Sequence, residues 1–280
     1  ICMKHEISVL QEELLAYREL QKLLSTYIDN LPEMVGSDGR LHTTFVQTGT
    51  TTGRLSSQNP NLQNIPVKGE YGKEIRRAFV AGEGHTLAAF DYSQIELRVL
   101  AILSGDARLI KTFKDGRDIH AAVASQVFGV PEGEVTKNMR RKAKVINFGI
   151  IYGMGIASLQ KSLGGSREEA QIFYENYFKK FPDVTRFIED IKRIANQRGY
   201  TETIFGRRRY VRGIRSSIPY IRAGAERQAL NAPIQGTAAD IIKKAMLVVD
   251  TALKNENLSG KTHLLLQVHD ELIYEIEKDA

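Results

Sequence analysis

Apolar residues recur at helical spacing at Ile7, Leu10, Leu14, Tyr17, Leu24, Ile28 and Leu31, which predicts one amphipathic helix over residues 7–31, stopped by Pro32. From 36 to 72 the chain turns to Gly, Ser, Thr, Asn and Pro, including Thr48-Gly49-Thr50-Thr51-Thr52-Gly53-Arg54, so turns and short strands are expected. Thr86 to Asp91 reads as a short apolar strand. Ile95, Val99 and Ile102 return to helical spacing until Gly105 ends the helix. Residues 106 to about 220 read as almost entirely helical, punctuated by Gly and Pro at 129–133, 164–165, 182 and 199. Ala223–Val249 is a further helix that Pro233 and Gly236 are expected to interrupt. The chain then shows a hairpin pattern: Leu264, Leu265, Leu266 and Val268, then His269-Asp270, then Leu272, Tyr274 and Ile276 in alternation. Strand-bearing segments far apart in sequence, with a helical insertion between them, favour an α+β fold.

A chain of 280 residues, 42% hydrophobic, can bury one large core or two linked ones. No apolar run approaches the length of a membrane span, and the first residues hold no apolar leader core. No membrane partner is therefore expected. The sole cysteine, Cys2, excludes a disulfide framework and a cysteine-ligated zinc, and fits a reducing cytoplasm. The net charge of +6 is modest. Its clustering, in Arg207-Arg208-Arg209 with Arg212 and Arg215, and in Arg140, Arg141, Lys142 and Lys144, fits either a phosphate-backbone binder or a solvated surface.

Two acidic segments carry the candidate chemistry. Asp91 ends the apolar strand in Phe90-Asp91-Tyr92-Ser93-Gln94-Ile95-Glu96-Leu97-Arg98; Asp270 and Glu271 stand at the hairpin turn in Gln267-Val268-His269-Asp270-Glu271-Leu272. Carboxylates at strand ends can hold the two cations that phosphoryl transfer uses. They can equally cap a helix, at Asp91, or make a turn, at His269-Asp270. Between the segments, Arg140, Lys144, Phe148 and Tyr152 are spaced by four. Each step advances about 40° on a helix, so they share one slowly turning face about 18 Å long. That face could carry a triphosphate at its basic end and a base at its aromatic end; alternatively Phe148 and Tyr152 are core aromatics beneath a snorkelling Lys144.

Asp91-Tyr92-Ser93-Gln94-Ile95-Glu96-Leu97-Arg98 resembles motif A of the family A (bacterial polymerase I-like) DNA polymerases. Arg140-x3-Lys144-x3-Phe148-x3-Tyr152-Gly153 is similar to their motif B, and Val268-His269-Asp270-Glu271 to their motif C. Thr52-Gly53-Arg54-Leu55-Ser56-Ser57, Asn61-Leu62-Gln63-Asn64-Ile65-Pro66 and the segment Asn231–Asp240 resemble three further family segments, in register. Val211-Arg212 stands where the family would lead one to expect Leu-Pro.

The resemblance implies a right-hand polymerase architecture. A thumb-base helix would occupy residues 1–35, an antiparallel-sheet palm 36–97 and 224–280, and mostly helical fingers 98–223. The match leaves the thumb a remnant and the palm short at its C-terminal end. It implies two Mg²⁺ ions on Asp91, Asp270 and the Tyr92 carbonyl, with Glu271 beside them. Arg140, Lys144 and His120 would bind the triphosphate, Lys144 serving also as proton donor to pyrophosphate. Phe148 would pack on the incoming sugar and base, Tyr152 would sit by the templating base, and Gln94 would join the dNTP site. Glu96 would exclude a 2′-hydroxyl. Arg54, Asn64, Gly153, Arg227, Asn231, Gln235 and His269 would contact DNA. For His120 and Glu96 the plainer readings are a helix-start histidine and an exposed helix glutamate. The implied partners are primer-template DNA and dNTPs, the expected state a monomer, and the location the cytoplasm of a bacterial cell or phage-infected host. A non-catalytic DNA-binding fragment, a two-metal nuclease and an RNA polymerase are the rival functions.

Overall fold

A computed structural model of the chain describes residues 2–67 and 69–279, with side chains from Leu10 onward. Ile7, the first position of the apolar stripe, lies outside the described side chains. Helix α1 (Cys2–Leu23) passes into a π-type turn (Leu24–Ile28), closed by the Asp29 N–H on the Leu24 carbonyl at 2.9 Å, and then into the short α2 (Asn30–Glu33). Pro32 therefore does not stop the helix as expected. It sits in the first turn of α2, where a missing N–H breaks no bond. The stripe is exposed from Leu10 to Leu24, and burial begins at Tyr27 and Leu31.

Next come the short strands β1 (Thr44–Val46) and β2 (Ser56–Gln58), which pair antiparallel, and a 3-10 turn at Leu62–Asn64. An unforeseen helix α3 (Glu70–Arg77) follows, with Glu70 in its first turn and Arg76 and Arg77 in its last, charges that suit the helix dipole. Strand β3 (His85–Asp91) leads to α4 (Ile95–Ser104), which ends at a left-handed Gly105. The helical stretch then runs through α5 (Ala107–Lys114), α6 (Ile119–Phe128), α7 (Lys137–Ile151), α8 (Ile156–Leu163), α9 (Arg167–Lys180) and α10 (Pro182–Arg198).

Two departures from the expected pattern follow. Residues 199–218 are not helical: β4 (Tyr200–Glu202) and β5 (Arg208–Tyr210) pair antiparallel in a small hairpin. Helix α11 (Pro219–Asn255) runs for 37 residues without a break at Pro233 or Gly236. Packing overrides the proline, because Ala229, Leu230, Ala232, Pro233 and Ile234 are all buried. Gly236 is a point of close approach, since a Cβ there would lie 2.6 Å from Thr203 Cγ2 and 3.2 Å from the Thr52 carbonyl oxygen. The last elements are β6 (Thr262–Val268) and β7 (Glu271–Glu277), the expected hairpin.

The chain groups into two compact units: Ile1–Gly49 with Leu55–Phe90 and Ala252–Ala280, and Thr50–Arg54 with Asp91–Thr251. The first holds a three-stranded sheet in the order β3-β7-β6. Strands β6 and β7 are antiparallel with Val268 opposite Glu271, and the Lys278 N–H on the Gly84 carbonyl at 3.0 Å ties the start of β3 to the end of β7. Strand β3 thus runs antiparallel to β7, and its Phe90 ring meets Tyr274 edge-on at 5.9 Å. Buried Glu275 accepts the Gly82 N–H at 2.8 Å and pairs with Arg40 at 2.9 Å. The Gly82 bond and Arg40 hold its pKa below the usual carboxylate range, against the opposing effect of burial. The second unit is helical around a core that includes Leu100, Ile119, Val123, Ile146, Ile151, Tyr177 and Val184. One unit built on an antiparallel sheet and one built of helices make the fold α+β.

Candidate polymerase site

Thr136 caps α7 by accepting the Met139 N–H at 3.2 Å. The helix buries Ala143, Ile146, Asn147, Ile150 and Ile151. Its other face carries Arg140 and Lys144 exposed, Phe148 half-buried, and Tyr152 46% exposed as the C-cap residue. The stripe is the outer face of the helix, so Tyr152 is not a core aromatic.

Arg140 and His120 share a network at the start of α6. One Asp118 oxygen caps that helix, accepting the His120 and Ala121 N–H groups at 2.8 and 3.0 Å; the other accepts Arg140 Nε and Nη2 at 2.9 and 2.7 Å. Burial raises the Asp118 pKa, but the Ala121 bond and Arg140 outweigh it, leaving a net lowering. His120 is buried, its ring 5.8 Å from Phe148 and its Nδ1 3.0 Å from Asn147 Nδ2. Burial pushes its pKa down to about 4; Asp118 opposes this, while Arg140 and Lys144 add to it. The neutral ring accepts the Asn147 amide hydrogen at Nδ1 and keeps its own proton on Nε2, a donor suited to an anion. His120 is a helix-start residue, but a buried one.

This burial predicts a pH dependence of stability. The folded pKa of about 4 lies below the ordinary 6.5, so between those values the unfolded chain binds more protons. The contribution of neutral His120 is complete above pH 6.5 and is lost as pH falls toward 4, a loss of up to about 3 kcal/mol. Denaturant melts at pH 7 and pH 4.5 should show a smaller acid loss in His120→Gln than in the parent chain. Equal losses would refute this assignment.

Glu96 lies in the first turn of α4 and is only 8% exposed. It pairs with Arg54 Nη2 and accepts the Tyr152 hydroxyl at 3.2 Å, so it is no exposed helix glutamate. Burial, then the Glu96 charge, raises the Tyr152 pKa. Gln94 occupies the N-cap of α4 in the left-handed region, φ 56°, without a side-chain cap bond. Asp91 is thus not the cap of α4. Gly153, φ 64°, lets the chain pass against α11, where a Cβ would lie 2.8 Å from Arg227 Cγ. Arg227, Asn231 and Gln235, spaced by four, follow one face of α11; the Asn231 amide reaches the Ile151 carbonyl at 3.5 Å, and Gln235 hydrogen-bonds Tyr152. Arg54, Glu96, Tyr152, Gly153, Arg227, Asn231 and Gln235 therefore converge. Sequence reasoning missed Asp118 and Asn147 as members of the site; the Asp before the apolar start of α6 was the available signal.

The basic hairpin is largely engaged within the fold. Arg207 makes two bonds to Asp240, at 2.9 and 2.6 Å, Arg208 pairs with Glu202 at 2.8 Å, and Arg215 donates to the Asn196 and Gln197 carbonyls near the end of α10. Arg207 and Arg208 are thus held by acid partners, whereas Arg209 meets the neutral Gln228 amide. Val211, the departure from the expected Leu, is buried.

In the sheet-bearing unit, His269 and Asp270 form the two-residue loop of the β6–β7 hairpin. His269 takes φ 56°, at a loop position that ordinarily favours glycine. Buried Gln267 donates to the His269 carbonyl at 2.5 Å and receives Gln63, whose amide reaches its carbonyl at 3.0 Å. The Asn64 carbonyl accepts the Tyr27 hydroxyl. Asp91 and Tyr92, at the start of the other unit, are exposed. Among the described residues no group of three or more His, Cys, Asp or Glu side chains is placed to hold a metal, and no helix is long and apolar enough to cross a membrane.

The fold is that of a nucleic-acid polymerase domain. It superposes on the POL domain of Pol1 from M. smegmatis, in complex with DNA primer-template and dNTP, with a TM-score of 0.89 and 50% identity over 95% of this chain and 47% of that one. The chain belongs to DNA polymerase family A, whose model matches residues 3–280. It is 54% identical over 269 residues to the thermostable DNA polymerase I of Thermus aquaticus, covering 96% of this chain and 32% of that protein. It is 54% identical to the DNA polymerase I of Chloroflexus aurantiacus, covering 95% of this chain and 28% of the relative. The chain thus spans about a third of the length of these relatives. Polymerases of this family use divalent metal ions.

Proposed function

We propose that this chain adds dNTPs to a primer 3′-hydroxyl under the direction of a template. Residues 1–35 would serve as thumb base, 36–97 and 224–280 as palm, and 98–223 as fingers. The observation that carries the reading is the outer face of α7, basic at Arg140 and Lys144 and aromatic at Phe148 and Tyr152, with buried Glu96 bonded to the Tyr152 hydroxyl. Family membership and the solved relative's primer-template and dNTP support it.

In the reaction, the 3′-oxygen bonds to the α-phosphorus, the bond to the β-phosphate oxygen breaks, and pyrophosphate leaves. The 3′-hydroxyl proton is lost to solvent. Arg140, Lys144 and neutral His120 would bind the triphosphate oxygens, and Lys144 would give a proton to pyrophosphate. Preorganised cations of this kind are the main protein contribution to phosphoryl transfer. Asp91, Asp270 and the Tyr92 carbonyl would hold two Mg²⁺ ions, with Glu271 nearby; two carboxylates and a carbonyl are the hard oxygen donors magnesium takes. Bound there, the ions would neutralise charge on the attacking and leaving oxygens. Gln94 and Phe148 would seat the incoming nucleotide. Arg54, Asn64, Gly153, Arg227, Asn231, Gln235 and His269 would line the nascent pair, where minor-groove acceptors differ little between base pairs. We assign primer-template DNA and dNTPs as partners, a monomeric state, and the cytoplasm of a bacterial or phage-infected cell as the location.

Primer extension with Mg²⁺ and four dNTPs tests the reading, and the absence of template-dependent extension would reject it. Glu96 adds a sharper arm. A buried carboxylate already engaged by Arg54 and Tyr152 has little room to accommodate a 2′-hydroxyl. Glu96→Ala should extend with ribonucleotides at least about 10-fold better than the parent chain, a difference of about 1.4 kcal/mol. A variant that extends with dNTPs yet rejects rNTPs as firmly as the parent would remove Glu96 from that role.

A further inference from the structure

We propose that Asp118 is the positioning residue of the triphosphate site: it holds the Arg140 guanidinium in a fixed orientation, so that the nucleotide meets a cation already ordered. This rests on the reading of Arg140 as a triphosphate ligand.

The geometry is specific. Asp118 Oδ1 is committed to the His120 and Ala121 N–H groups, and Oδ2 to Nε and Nη2 of Arg140. The carboxylate cannot rotate without giving up a helix cap on one side or an ion pair on the other. The guanidinium, its side chain 45% exposed, is pinned along one edge. An arginine has five N–H donors; two face Asp118 and three remain for phosphate oxygens. A long exposed side chain otherwise loses rotamer freedom on gripping a ligand, and ordering it beforehand removes that cost from binding. Asp118 also opens the helix that carries His120, whose ring is held against α7 by Asn147, two turns along the same side of that helix from Arg140. One carboxylate thereby sets both anion-facing groups.

A competing physical effect has the opposite sign. Asp118 is an anion beside a proposed anion site, so if repulsion dominated, removing its charge would tighten nucleotide binding. Asp118→Asn separates the two effects, because asparagine caps a helix as well as aspartate does but cannot pair with a guanidinium. Equilibrium dialysis of labelled dATP with Mg²⁺ against the full chain gives the affinity, and thermal melting gives the fold.

Asp118→Asn is expected to weaken dATP binding by roughly 5–10-fold with an unchanged melting midpoint. Asp118→Ala should weaken binding similarly and lower the midpoint as well, having lost the cap. In an Arg140→Ala background, which itself weakens binding, Asp118→Asn should change nothing further. In steady-state extension the loss should fall on KM for dNTP and spare kcat. Unchanged or tighter dATP binding in Asp118→Asn, with Arg140→Ala still impaired, overturns the inference alone. If Arg140→Ala binds dATP like the parent chain, the triphosphate reading of α7 falls, and this inference with it.

Discussion

Asp270→Ala should abolish primer extension, lowering its rate by on the order of 10³-fold or more while primed DNA is still bound. Asp270 sits in the two-residue β6–β7 loop, held by Val268 opposite Glu271 and by the Gln267 bond to the His269 carbonyl. Its carboxylate does not serve the core, and alanine keeps the loop length, so folding should survive. Asp91→Ala is expected to behave alike if, as proposed, the two carboxylates share the metal ions. Single-turnover extension beside a DNA-binding assay separates the outcomes. An Asp270→Ala chain that extends at a tenth of the parent rate or faster would exclude Asp270 as a metal ligand. Lost extension together with lost DNA affinity and a lowered melting point would point to misfolding instead.

Arg207→Met should cost stability rather than chemistry, by about 3 kcal/mol, lowering the thermal midpoint by roughly 6–12 °C. Asp240 has a side chain only 7% exposed, and its charge is met by the two Arg207 bonds and by the Thr203 hydroxyl at 2.9 Å. Methionine leaves that buried carboxylate with one hydrogen bond, from Thr203, and only the more distant charge of Lys243. Thr203 Oγ1 also accepts the Phe205 and Arg207 N–H groups, so the hairpin and α11 fail together. The double variant Arg207→Met/Asp240→Leu should recover most of the loss, because an apolar pair strands no charge. A single-variant loss below about 0.5 kcal/mol would show that solvent reaching the 39%-exposed arginine already screens the pair.

Periodicity marks α4 through its buried Ile95 and Val99, and the four-residue spacing at 140–152 marks α7 by its outer face, whereas 106–220 reads only as one helical stretch punctuated by Gly and Pro. The β6–β7 hairpin was equally plain from alternation around His269-Asp270. Helix α11 misled because local propensity at Pro233 and Gly236 says nothing of the packing that overrides the first and needs the second. The β4–β5 hairpin was missed because two three-residue strands leave no periodic trace. Of the residues named from motifs, Arg140, His120 and Phe148 recur in one cluster and Arg54, Glu96, Tyr152, Gly153, Arg227, Asn231 and Gln235 in another, while Asp91, Tyr92, Asp270 and Glu271 belong to neither. What the sequence did not reveal were the partners that orient them. The roles of Asp118 and Asn147 come from bonds across 22 and 27 residues.

The hairpin's internal pairing also changes what the formal charge of +6 means. A polyanion that docks on a protein gains free energy by shedding its condensed counterions, and each basic side chain counts only if it replaces one. Arg207 and Arg208 already have acid partners in Asp240 and Glu202, so gripping a phosphate would cost each of them an ion pair. Arg209 donates to a neutral amide, Gln228, and beside Tyr152 and Asn231 it lines an open cleft of about 580 Å³ together with Arg212 and Arg227. The arginine count of the hairpin therefore overstates the cations free of an acid partner among the described residues: on this cleft they are Arg209 and Arg212, with Arg227 of α11 beside them.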